Sequence, residues 1–239
     1  MPNALVLAAG RSTRISPVAN GLPKPLLELG GTSLLGWNLS WLRAHGIADV
    51  WINLHHGAER IRAAIGDGAA WGVRIRYAYE PELLGTAGAW RALAEHWTGT
   101  SLVIYGDNFM RFDLGALVHA HRRSGASATL AVFDPAVHAC TGGAGGRARL
   151  SGDRVVSFQE DSVNGRAPIN AGVYALEPSV ADAIPPGFRD FGRDVLPRLA
   201  EAGTLGAHML EAGGFCLGLD TPERFERAKQ LFAGGEVAP

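Results

Sequence analysis

Residues 4–27, ALVLAAGRSTRISPVANGLPKPLL, decide the fold. Ala4 to Ala9 is a short unbroken apolar run that stops at Gly10, the pattern of a strand buried on both faces of a parallel sheet. Gly10 to Lys24 is rich in glycine, serine and proline and reads as a loop. A glycine-bearing loop straight after a buried strand presents backbone N–H groups to an anion at the carboxyl edge of the sheet. Arg14 offers a two-pronged grip on phosphate oxygens, and Lys24, held between Pro23 and Pro25, offers a movable point charge on a restricted backbone.

Outward from this stretch the chain alternates. Ser33 caps an apolar-striped helix that stops at Gly46. Strands are expected at 49–54, 73–79, 101–105 and 128–133, with helices at 58–65, 87–96 and from Asp113 to about Arg123. This rhythm predicts an α/β fold, Rossmann-like, with three αβα layers and a mixed, mainly parallel central sheet. After Pro135 the pattern changes to a glycine tract at 142–146 and short strands at 148–150, 155–158 and 169–176. Residues 135–178 therefore read as a β-rich insertion facing an acceptor, within a single domain of residues 1–233. Helices follow at 180–184 and 193–202, then a strand at 215–219 and a helix from Pro222 to about Phe232. Residues 234–239 read as a frayed tail. No internal repeat or hexapeptide array is present in the sequence.

Composition narrows the class. The 239 residues are 47% hydrophobic and 19% charged, ample for a core, and a formal net charge of −1 lacks the basic field of a nucleic-acid binder. No apolar run approaches the roughly 20 residues that span a bilayer. The start, Met-Pro-Asn, has no basic n-region, and Cys140 and Cys216 lack metal-ligand spacing, so a cytoplasmic protein in a reducing compartment is expected. The eight histidines form no H-x-x-x-H pair, and His55-His56 reads as capping and packing. Tryptophans such as Trp37, Trp41 and Trp90 fall on helix faces and read as core or subunit contacts, the latter in a homo-oligomer. Walker and dinucleotide-binding glycine spacings are both missing, which speaks against a P-loop or an NAD-dependent enzyme.

Further chemistry-bearing positions fall at strand ends. Asp107 ends the strand at 101–105, where a hard carboxylate suits Mg²⁺. Gly85 and Gly88 permit a flat base to approach the backbone, and Glu80 ends the preceding strand. Glu160 and Asn170 pair a carboxylate with an amide, groups that grip vicinal hydroxyls.

Gly10-Arg11-Ser12-Thr13-Arg14, Pro17 and Pro23-Lys24-Pro25 resemble the signature of the sugar-1-phosphate nucleotidyltransferase family, with Ser12 where glycine is usual. Leu84-Gly85-Thr86-Ala87-Gly88-Ala89, Gly106-Asp107-Asn108, Phe158-Gln159-Glu160, Asn170-Ala171-Gly172-Val173-Tyr174, Asp194-Val195-Leu196-Pro197 and Asp220-Thr221-Pro222-Glu223 follow in family order. The chain looks most like short bacterial heptose- and mannose-1-phosphate guanylyltransferases. The resemblance implies an enzyme that joins NMP from an NTP, GTP by preference, to a sugar-1-phosphate-like acceptor with release of pyrophosphate. It implies catalysis by Arg14, Lys24 and Asp107, with Mg²⁺ on Asp107 and Asp220. It places the nucleotide on Ala8, Ala9, Gly10, Ser12, Thr13, Glu80, Gly85, Thr86 and Gly88, and the acceptor on Asn108, Glu160, Asn170 and Gly172.

Two departures keep alternatives open. The carboxylate Asp220 stands two positions later than in most relatives, as in related cytidylyltransferases. The lysine that usually follows Glu160 is replaced by Asp161, which would repel an acceptor phosphate unless Arg166 compensates. A cytidylyltransferase for a phosphocholine-, phosphonate- or cyclitol-phosphate-like acceptor is one alternative. A catalytically silent, nucleotide-sugar-binding regulatory paralogue is another, opposed by the joint presence of Arg14, Lys24 and Asp107.

Overall fold

A computed structural model describes residues 2–10, 13–19, 21–142, 145–160 and 166–238. In chain order the strands are β1 (Asn3–Leu7), β2 (Glu28–Leu29), β3 (Thr32–Ser33), β4 (Asp49–Leu54), β5 (Arg74–Tyr79), β6 (Ser101–Tyr105), β7 (Asn108–Arg111) and β8 (Ala128–Phe133). They continue with β9 (Arg147–Ser151), β10 (Arg154–Gln159), β11 (Ile169–Leu176), β12 (Leu205–Met209) and β13 (Phe215–Gly218). The α-helices are α1 (Ser16–Ala19), α2 (Leu34–Ala44), α3 (Ala58–Ile65), α4 (Gly85–Ala92), α5 (Leu114–Ser124), α6 (Leu196–Glu201) and α7 (Pro222–Ala233).

Among the described residues, nine strands form one sheet in the order β5-β4-β1-β6-β11-β8-β12-β10-β9. The half from β5 to β6 is parallel throughout, as the alternating pattern requires. Beyond it the sheet is more mixed than expected. β11 lies antiparallel between β6 and β8, β12 is parallel to β8, and β10 and β9 are antiparallel. Residues 135–178 supply β9, β10 and β11 to this same sheet. Their longest strand, Ile169–Leu176, lies inside the main sheet, which explains why Ile169, Ala171 and Val173 to Leu176 are all buried.

The sheet buries both faces. Ala4 and Val6 join one core with α2, α3 and α5, while Leu5 between them joins a second core with Trp90 of α4 and Leu196 of α6. Local signals set the helix starts. Ser33 accepts from the Gly36 N–H, Asp113 from Ala116 and Thr221 from Arg224, each satisfying an N–H that the first turn leaves over.

One small pairing outside the sheet positions the site. β7 runs antiparallel to β13, with Asn108 opposite Gly218. The residue before Asn108 is Asp107, and two residues beyond Gly218 comes Asp220, so this register brings the two carboxylates to one end of the ribbon. No helix among the described residues is long and apolar enough to cross a membrane.

Candidate active site

Lys24 sits at the start of a 3₁₀ turn, Lys24–Leu26, that Pro25 preorganises. The turn is anchored on the main core through Leu26, so the side chain is only 4% exposed. Its ammonium donates to Asp107 Oδ2 at 2.8 Å and to Asp220 Oδ1 at 2.7 Å, both in the range of strong charge-assisted bonds. The sequence suggested a movable point charge; in the structure Lys24 is a buried clamp between two carboxylates. Arg14 reaches Asp220 Oδ1 at 3.4 Å and Arg224 reaches Oδ2 at 3.4 Å, both looser.

Burial alone would lower the Lys24 pKa, but the charges of Asp107 and Asp220 and their hydrogen bonds outweigh it, and the pKa is raised. Burial alone would raise that of Asp220, but Lys24, then Arg14 and Arg224, hold it below its ordinary value. The oxygens of Asp107 and Asp220 converge on a single cation. Two hard carboxylates side by side are a donor set that fits Mg²⁺, which takes one or two protein carboxylates and completes its shell with water and phosphate oxygens.

Two clefts meet at this cluster. One, of about 250 Å³, is lined by Ala9, Gly10, Asn53, Glu80, Gly85, Thr86 and Asp190, among others. The second, of about 260 Å³, is lined by Arg14, Asn108, Glu160, Asn170, Gly172, Asp220 and Arg224, among others. Tyr105 and Asp107 line both.

The first cleft gathers most of the residues expected around a nucleotide. A Cβ at Gly10 would meet nothing within 4 Å, leaving the end of β1 open to a close ligand. Glu80 is buried, and its roles are internal: Oε1 accepts from Asn53 Nδ2 at 2.7 Å and Oε2 from the Leu84 N–H at 2.9 Å. Asn53 Oδ1 in turn accepts from the Ala8 N–H at 2.8 Å. This strut ties the end of β1 to the loop before α4, and Asn53, hidden in an apolar strand, carried no signal of its own. Gly88 lies outside the cleft. It and Gly85 are glycines because the backbone of residues 187–189 packs on them: a Cβ at Gly85, where φ is +73°, would lie 2.3 Å from the Arg189 oxygen, and one at Gly88 2.5 Å from that of Gly187. Ser12 and the Thr13 side chain lie outside the described residues, as does Asp161.

The second cleft gathers all the residues expected around an acceptor. Glu160 follows β10 and tucks against Gly146 and Gly192, where a Cβ would lie 2.6 and 2.0 Å from Oε2. Asn170 Nδ2 donates to the Tyr174 hydroxyl at 2.7 Å, and Oδ1 accepts from the Gly172 N–H at 2.9 Å. The Tyr174 hydroxyl donates to that of Tyr105 at 3.3 Å, and Tyr105 is hydrogen-bonded to Thr86. A polar chain therefore crosses from one cleft to the other. Burial, reinforced by Tyr174 and Asp190, raises the Tyr105 pKa well above its ordinary value, so the phenol stays protonated. Gly172, at φ +75°, lets the Tyr105 ring lie where its Cβ would be. Arg166 is exposed and does not line the cleft.

In this α/β fold a lysine-clamped carboxylate pair lies where two clefts meet. The profile of the nucleotidyl transferase family matches residues 3–215, and the chain belongs to that family. It is 32% identical over 216 residues to a UTP–glucose-1-phosphate uridylyltransferase of Synechocystis, covering 84% of this chain and 55% of the relative. It is 32% identical over 243 residues to a mannose-1-phosphate guanylyltransferase of Mycobacterium tuberculosis, covering 99% and 66%. The chain thus spans between half and two thirds of those relatives. A glucose-1-phosphate cytidylyltransferase of Salmonella typhi is 28% identical, with 91% of each chain covered. Among solved structures, HddC of Yersinia pseudotuberculosis shares the fold with a TM-score of 0.81 at 22% identity, covering 97% of this chain and 100% of the other.

Two outcomes follow. Asn53→Ala strands the Ala8 N–H and a Glu80 oxygen in a buried place and should cost about 1–3 kcal/mol of unfolding free energy by denaturant titration; an unchanged midpoint would remove the strut. For the ion-pair cluster, a depressed Asp220 pKa contributes stability present at neutral pH and lost as pH falls through its folded value. The raised Lys24 pKa contributes stability that is lost only as pH rises through its own folded value. Asp220→Asn should therefore flatten the acid limb of the stability–pH profile, and an acid limb as steep as that of the wild type would contradict the assignment.

Proposed function

We propose that the protein is a Mg²⁺-dependent sugar-1-phosphate nucleotidyltransferase acting in the cytoplasm, on a Rossmann-like three-layer αβα framework. The observation that carries this reading is the pair of clefts sharing Tyr105 and Asp107, with the Lys24–Asp107–Asp220 cluster at their junction. The NTP occupies the cleft at Gly10, Gly85 and Thr86; the acceptor occupies the cleft at Glu160 and Asn170. Their reacting phosphates meet at Asp107.

The acceptor's phosphate oxygen attacks the α-phosphorus in line; a new P–O bond forms and the bond to the β-phosphate oxygen breaks, releasing pyrophosphate. Such transfers depend on positioning and charge neutralisation, and a phosphate oxyanion needs no general base. Asp107 and Asp220 would hold Mg²⁺, which when bound neutralises charge on the nucleotide's phosphates. Lys24 keeps the two carboxylates together and offers its charge to the phosphates passing between the clefts. Arg14, whose side chain is 74% exposed at the rim, can leave its 3.4 Å contact with Asp220 and meet the charge building on pyrophosphate. Glu160 and Asn170 orient the acceptor's hydroxyls.

GTP with a hexose- or heptose-1-phosphate is the favoured pair. Leu84 to Gly88 resembles the guanylyl branch, and a guanylyltransferase is among the relatives. A cytidylyltransferase is the second reading, favoured by Asp220-Thr221-Pro222-Glu223 and by the similarity to a glucose-1-phosphate cytidylyltransferase. A matrix of four NTPs against sugar 1-phosphates, read by pyrophosphate release, tests both. Turnover with GTP supports the first, and turnover with CTP alone selects the second.

With the active pair, Asp107→Asn should lower kcat by about 100-fold or more, ~2.7 kcal/mol of barrier, without loss of fold by circular dichroism; a wild-type kcat would remove Asp107 from the chemistry. Arg14→Ala should lower kcat more than it weakens NTP binding, because the leaving-group charge peaks in the transition state. An effect on KM alone would end the leaving-group role.

A further inference from the structure

We infer that Arg224 is the residue that receives the acceptor's phosphate, an assignment that rests on the nucleotidyltransferase reading above and deepens it. Among the described residues the second cleft is lined by three carboxylates, Asp107, Glu160 and Asp220, a surface that repels a phosphate. Two cations among the described residues line it as well, Arg14 and Arg224. Arg14 is exposed at the rim, whereas the Arg224 side chain is 23% exposed and sits within the cleft wall.

The position follows from the fold. Thr221 caps α7 and Pro222 opens it, so Arg224 falls in the first turn, one helical turn after Asp220. Its Nη1 contacts Asp220 Oδ2 through one nitrogen at 3.4 Å, well beyond the 2.7–2.9 Å of a strong pair. Asp220 is its sole ion-pair partner among the described residues, and that carboxylate is held more closely by Lys24, at 2.7 Å. The planar guanidinium keeps donors for a second partner that offers two oxygens, as a phosphate can. Its other side faces Gly142, where a Cβ would lie 3.6 Å from both Nε and Nη2; any longer side chain there would cover it. From this place Arg224 can hold the acceptor phosphate beside Asp107 while remaining tethered to Asp220.

The test starts from the pair of GTP, ATP, CTP or UTP with glucose, mannose, N-acetylglucosamine or heptose 1-phosphate that the wild type turns over fastest. Arg224→Gln, which keeps the bulk and some hydrogen bonding without the charge, should raise the acceptor KM at least about tenfold. The NTP KM should stay within about twofold and the melting temperature should not move. Arg224→Lys, which restores the charge without the two-pronged grip, should recover part of the acceptor affinity. An unchanged acceptor KM, or an equal rise in the NTP KM, would overturn the assignment and leave Arg224 as a buttress of Asp220 in a working nucleotidyltransferase. No pyrophosphate from any pair with the wild type would overturn the nucleotidyltransferase reading, and this assignment with it.

Discussion

A single buried ammonium holds the site together. Lys24 arrives from the loop after β1, Asp107 from the end of β6 and Asp220 from the end of β13, three segments that nothing in the local chain would bring together. Two carboxylates at this spacing repel one another, and an ammonium desolvated alone would lose its proton. Each makes the other tenable, and the shifts of Lys24 and Asp220 in opposite directions express that mutual support. In the proposed reaction the cluster would act as a preformed electrostatic centre whose cost was met in folding, the condition for stabilising charge quickly.

Around this centre the polar side chains work mostly on one another. The Ala8–Asn53–Glu80–Leu84 strut and the Asn170–Tyr174–Tyr105–Thr86 chain fix the walls of the two clefts, and Gly10 lines the first of them. Rigid walls lined by already satisfied groups are what a positioning enzyme needs, since small displacements of reacting atoms carry large penalties.

Much of this was legible in the sequence, because buried strands and capped helices announce themselves locally. The runs at 49–54, 101–105 and 128–133 and the caps Ser33 and Asp113 lie where periodicity and capping chemistry place them. The grouping of Arg14, Asp107, Asn108, Glu160, Asn170 and Asp220 around one centre also follows the motif order. What escaped depends on distant partners. β7 exists only because β13, a hundred residues later, pairs with it, and Leu205–Met209, with Gly206 and His208 within it, is a strand only because β8 accepts it. Gly85 and Gly88 look like room for a base but answer to the backbone at 187–189. Asn53, Tyr105 and Arg224 belong to no motif; only the fold shows them facing the clefts.

In the proposed reaction two substrates, held in clefts on either side of Asp107, react by one direct displacement. The most direct measurement is the configuration at phosphorus after turnover of an NTP made chiral by sulfur at the α-phosphate. A single in-line attack predicts inversion. Retention would mean two displacements through a covalent nucleotidyl-enzyme, and the arrangement of the two clefts around the Lys24 cluster would then have been misread.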